Sequence, residues 1–104
     1  MQTVQARVEL IQRQLQELDA FLVQAHKDLN TVAGGERVKK WKAKAIALFA
    51  AELGPDVAQR LASTAPGPSF TSDLLEELSD EIEVYRSFLL KLVEEVKRAP
   101  ASDK

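Results

Sequence analysis

"VQARVELIQRQLQELDAFLVQAHKDLNTV", residues 4–32, decides how this chain folds. Within it Val4, Val8, Ile11, Leu15, Leu18, Leu22, Ala25, Leu29 and Val32 recur at alternating intervals of four and three. That is a heptad pattern. At this period successive apolar side chains stay on one face of a slightly underwound helix, the condition for a closed left-handed helix pair. The spacing predicts a helix of about 30 residues, about 45 Å long at 1.5 Å per residue. A compact sphere of this mass does not hold such a rod, so an elongated bundle is expected. Leu10 and Phe21 widen the stripe beyond the two positions of an isolated two-stranded coil, so this helix should touch more than one neighbour.

The same device returns near the other end. Leu75, Leu78, Ile82, Tyr85, Leu89, Leu92 and Val96 alternate three and four across "DLLEELSDEIEVYRSFLLKLVEEVKR", residues 73–98, with Leu74, Phe88 and Val93 widening the stripe. Thr71, Ser72 or Asp73 can cap its start, and Glu76 and Glu77 put negative charge where the helix dipole favours it.

Between the two rods, "GGERVKKWKAK" at 34–44 opens a shorter helix expected from Glu36 to Leu53. Gly34 and Gly35 read as its hairpin entry, and Gly54 followed by Pro55 as its stop. Its apolar set is Val38, Trp41, Ala45, Leu48 and Phe49. "PDVAQRLAS" at 55–63 begins with Pro and Asp and aligns Val57, Ala58 and Leu61, which predicts about two helical turns. "TAPGPSF" at 64–70 reads as loop, and residues 99–104 as a frayed tail or linker. The expected fold is thus all-α: one domain over residues 1–98, an elongated helical bundle of three long helices and one short one, with coiled-coil-like seams.

The 104 residues suit one core, and an apolar share of 45% is too high for wholesale disorder. With no cysteine, disulfide frameworks, thiolate catalysis and cysteine-ligated metals are excluded. The polar start "MQTVQARVELIQRQ" has no uninterrupted apolar stretch of the kind a signal peptide or a membrane span needs, so a cytoplasmic location and no membrane partner are expected. Fourteen basic against sixteen acidic residues argue against a surface built wholly for nucleic acid.

No catalytic constellation emerges, and no enzyme activity or cofactor is expected. His26 is the sole histidine and lacks the partners that zinc or general acid–base chemistry requires. Glu76, Glu77, Asp80, Glu81 and Glu83 read as a solvated helix face, since a di-metal bundle needs Glu-x-x-His pairs on facing helices. Gly34 and Gly35 lack the Gly-Lys-Ser/Thr continuation of a phosphate loop.

The basic stretch is ambiguous. Arg37, Lys39, Lys40, Lys42 and Lys44 crowd the first half of a helix, where each cation opposes the dipole at about a few tenths of a kcal/mol. One reading makes Trp41 a core anchor with lysine stems around its rim and their heads near the acidic start of the last helix. The other makes Arg37, Lys40, Trp41 and Lys44 a candidate docking patch for an acidic partner or a nucleic-acid backbone.

The segments "ERVKKWKAKAIALFAAELGPDVAQRLAS" (36–63) and "DEIEVYRSFLLKLVEEVKR" (80–98) together resemble the small helical domain found before TIR-like, predicted nucleotide-binding domains of bacterial defence proteins. Trp41 after basic residues, the Gly54–Pro55 break, and Phe88, Leu89, Leu92, Glu94 and Glu95 are the matching positions. The resemblance implies an accessory module that assembles or regulates an effector. No TIR-like domain follows Arg98 in this sequence, so NAD-cleaving chemistry is not carried over. The function expected is a non-catalytic oligomerisation or adaptor module, self-associating or pairing with another helical protein. Its seam would run through Val8, Ile11, Leu15, Leu18, Leu22, Leu29, Leu78, Ile82, Tyr85, Leu89 and Leu92.

Overall fold

In the computed structural model of the protein, residues 3–67 and 72–98 are described. They form four helices, α1 (Val4–Asp28), α2 (Thr31–Glu52), α3 (Pro55–Ser63) and α4 (Leu74–Arg98), and no strand. The class is all-α. Thr71 as a cap, the end of the 64–70 connection and the 99–104 tail lie outside the described residues.

Each boundary has a local cause. Thr3 Oγ1 accepts from Ala6 N at the start of α1, which satisfies one of the orphan donors of a first turn. α1 stops at Asp28, one turn short of the expected end. Leu29 turns into the left-handed region at φ 55° while its N–H still donates to Ala25 O. Asp28 Oδ1 then accepts from Asn30 N, and Asn30 Oδ1 accepts from Ala33 N as the cap of α2. The hairpin therefore falls at Leu29–Asn30 and not at Gly34–Gly35, which both lie inside the first turns of α2. Short polar side chains that bind backbone N–H groups outcompete helix continuation here.

Gly34 serves packing instead of turning. A Cβ there would stand 2.6 Å from Leu78 Cδ2 and 3.7 Å from Ala25 Cβ, so the glycine lets α2 close on both α1 and α4. Gly54, at φ 113°, makes the break between α2 and α3 that only glycine adopts freely, and Pro55 opens α3. Asp73 is the cap of α4: its Oδ1 accepts from Leu75 N and Glu76 N.

α1 and α4 form the most extensive helix pair, and they run antiparallel, since Asp19 meets Arg86 while Ala25 and Leu78 flank Gly34. α2 runs parallel to α4, with Gly34 against Leu78 and Trp41 against Tyr85. α3 doubles back along the second half of α2, so that Thr64 O reaches Lys42 Nζ at 2.6 Å. The molecule measures 48 × 25 × 21 Å with a radius of gyration of 14.6 Å, against about 13 Å for a compact chain of this length.

One core runs the length of the rod. Ile11, Leu18, Ala25, Val38, Trp41, Phe49, Leu61, Ile82, Leu89 and Leu92 are its deepest members. Each buried Leu, Ile or Phe side chain contributes about 1.5–3 kcal/mol by leaving water.

Candidate interaction surface

The expected seam residues are mostly spent inside the single chain. Val8, Ile11, Leu18, Leu78, Ile82, Tyr85, Leu89 and Leu92 are buried in its own core, and Leu15 and Leu22 are half-buried against it. Leu29 leaves the seam altogether, because the turn carries it out to 69% exposure. The apolar stripes of α1 and α4 find each other and α2 within one molecule.

The basic stretch divides in the same way. Trp41 is only 2% exposed, and its ring lies 5.6 Å from that of Tyr85 at 48°. The aromatic centre of the candidate docking patch is therefore core, and the patch of Arg37, Lys40, Trp41 and Lys44 is not presented as one surface. Lys40 and Lys44 are exposed, whereas Arg37 is half-buried and attracts Asp28. The Asp28 carboxyl sits below its ordinary range chiefly because Gln24 and the Asn30 N–H hydrogen-bond it, with Arg37 adding attraction. Lys42 bonds Thr64 O and lies 5.1 Å above the Tyr85 ring. Lys39 and Lys42 face Glu81 across a groove, so acidic α4 offsets part of the charge that opposes the α2 dipole.

That groove is the feature sequence reasoning missed. It is an open cleft of about 540 Å³ between the first halves of α2 and α4, lined by Val38, Lys39, Lys42, Glu81 and Tyr85 among others. A second hollow of about 200 Å³ continues it towards the turn, between Val32 and Gly35 on one side and Leu74, Leu78 and Glu77 on the other. Val32 is 76% exposed and Leu74 60%. The end of the cleft nearest the turn is thus flanked by apolar side chains, its floor is Gly35, Val38 and Leu78, and its rims carry opposite charge. Gly35 has no atom within 4 Å of where a Cβ would stand, so packing within the chain does not require a glycine there. The signal for it in the sequence is Val32 and Leu74, apolar residues that each stand in the first turn of a helix, where continuing a stripe does not guarantee burial.

His26 Nδ1 sits 3.0 Å from Leu22 O and its side chain is exposed. Among the described residues no group of three or more His, Asp or Glu side chains could hold a metal ion, and no helix is long and apolar enough to cross a membrane. No family model, curated protein or solved structure matches the chain.

Proposed function

We propose that this chain is a non-catalytic interaction module, an oligomerisation or adaptor unit that takes a helical protein into the cleft between α2 and α4. The observation that carries it is the juxtaposition of Val32 and Leu74, both largely exposed, over a cleft whose floor includes a glycine with no packing role in the chain itself. A helix-interior glycine costs up to about 1 kcal/mol relative to alanine, and close approach of another molecule to the backbone is one role that repays it. Paired heptad stripes support the finer reading of α1 and α4 as a coiled-coil-like scaffold that presents the cleft. Resemblance to helical domains that precede TIR-like domains supports a role in assembling or regulating a bacterial defence effector, in a cytoplasmic setting.

The test is capture from a bacterial extract with the tagged chain, beside its Val32→Asp, Leu74→Asp variant, followed by rebinding of the captured protein in purified form. A partner retained by the parent and lost with the variant supports the reading. If both chains retain the same proteins, the cleft is not the interaction surface. Lys40 and Lys44 leave nucleic acid or another acidic partner as the alternative reading, which predicts retention that falls steeply with salt and is lost on Lys40→Glu, Lys44→Glu.

A further inference from the structure

We propose that the occupant of the cleft is a second copy of this chain, set face to face about a two-fold axis parallel to the cleft. The inference rests on the interaction reading above and names its partner. It follows from the charge on the rims. The α2 rim carries Lys39 and Lys42, with Glu36 nearer the turn, and the α4 rim carries Glu77 and Glu81. A two-fold along the cleft sets each α2 against the other copy's α4 at the same height, so Lys39 of each copy meets Glu81 of the other. A two-fold across the cleft would put lysine on lysine and glutamate on glutamate. Only the first arrangement is electrostatically self-complementary, and like charges placed opposite one another disfavour the second.

The apolar groups obey the same symmetry. Val32 and Leu74 line the same end of the cleft from opposite sides, so the rotation brings Val32 of one copy towards Leu74 of the other, twice. An isologous contact of this kind closes after two chains and leaves no repeating edge. Glu81 gains most from the second chain. It is half-buried, and loss of water raises its carboxyl above the ordinary range despite Lys42 and Lys39 nearby. A second lysine from the facing copy offsets that loss. Gly35 then has its reason, since the facing chain approaches where a methyl group would stand.

The experiment measures mass by light scattering, from micromolar to millimolar concentration, for the parent chain, Lys39→Glu, Glu81→Lys and a one-to-one mixture of these two variants. Circular dichroism of each verifies that the helices persist. The parent should move from 11.5 kDa towards twice that mass. Each variant alone should dimerise about tenfold or more weakly, because the glutamate introduced at 39 then faces Glu81 in one variant and Lys39 faces the lysine introduced at 81 in the other, like charges at both symmetry-related contacts. The mixture should recover the parent's dimerisation, since the introduced glutamate at 39 then meets the introduced lysine at 81, and the remaining Lys39 meets the remaining Glu81. A parent that stays monomeric, or a mixture no better than its components, overturns the second copy as occupant. If the parent is monomeric and yet captures a different helical protein through Val32 and Leu74, the interaction reading stands and only this inference falls.

Discussion

The two halves of the α2–α4 face differ in what covers them. Along the second half of α2, helix α3 lies over Phe49 and brings Ala58 and Leu61 into the core, and Arg60 reaches across to α4 with two 2.8 Å bonds to Glu95. Along the first half nothing equivalent is found among the described residues, and Val32 and Leu74 remain exposed. Identical helices thus present a finished face at one end and an unfinished one at the other. A short helix nine residues long covers only about 14 Å at 1.5 Å per residue. What distinguishes the ends is that length, not the apolar content of α2 or α4.

The sharpest way to break this contrast is to truncate matched side chains in both halves. Phe49→Ala should destabilise by about 3–5 kcal/mol and Leu61→Ala by about 2–5, because each side chain is fully buried and leaves a cavity. Trp41→Ala, at the border between the halves, should also fall in the range of about 3–5 kcal/mol. Trp41→Phe should cost less, since the indole N–H is buried without a partner and its removal relieves an unsatisfied donor. Val32→Ala and Leu74→Ala should stay within about 0.5 kcal/mol. Urea denaturation at low micromolar concentration reads all of these. Equal losses in both halves would mean that the open end is packed as well as the closed one.

The neighbouring glycines sharpen the contrast by sign. Gly34→Ala forces a methyl group to within 2.6 Å of Leu78 Cδ2, in the core. Overpacking of that kind costs about 1–3 kcal/mol, which exceeds the gain of up to about 1 kcal/mol in helix propensity. Gly35→Ala meets nothing and should stabilise the monomer by up to about 1 kcal/mol. The same change should weaken dimerisation. Thermal melts of the two variants check the first point, and their masses check the second.

The pattern of the sequence was enough for the class and the four helices, because those depend on apolar period and on strong breakers such as Gly54–Pro55; for Trp41 it left core and docking patch open, and only its burial decides for core. The hairpin was misread for a physical reason. Leu29 and Val32 happen to continue the heptad in phase, while the break is made by Asp28 and Asn30 capturing nearby N–H groups, a weaker signal than a glycine pair. Period alone also leaves open whether two stripes meet within one chain or between two. Here α1 and α4 are long enough to bury each other, so the stripes carry the fold. The cleft was not legible because it depends on how far α3 extends along α2, a tertiary fact.

Charge at the closed end offers a smaller test. Arg60 and Glu95 are each about half exposed (46% and 47%), and Arg60 also stands 5.6 Å over the Phe88 ring. An exposed pair of this kind is worth at most about 1 kcal/mol, so Arg60→Gln should lose no more than that. The Arg60 bond holds the Glu95 carboxyl below its ordinary range. Its contribution is therefore present above the usual glutamate pKa and lost as pH falls through the depressed value in the folded state. Stability curves of the parent and Arg60→Gln should converge in acid. Parallel curves would show that the pair does not discriminate folded from unfolded chain.

Glu81 at the open end should behave with the opposite sign and the smallest amplitude. Its carboxyl is raised, first by loss of water and then by Glu77, against the attraction of Lys42 and Lys39. A raised acid keeps its proton longer in the folded chain than in the unfolded one. Across the interval from the usual glutamate pKa up to the raised value, the native state binds more protons, so stability falls as pH rises and levels off above it. Glu81→Gln removes that titration, and relative to the parent the variant should gain stability from acid to neutral pH. Urea midpoints at about pH 4 and about pH 7 read the difference, at concentrations low enough to keep the chain monomeric. At high concentration the order should reverse at neutral pH, because the facing Lys39 then loses its counter-charge. A variant that gains at both concentrations alike would mean that the Glu81 carboxylate has no second lysine to meet, and would leave the open half of the rod without the partner its charges fit.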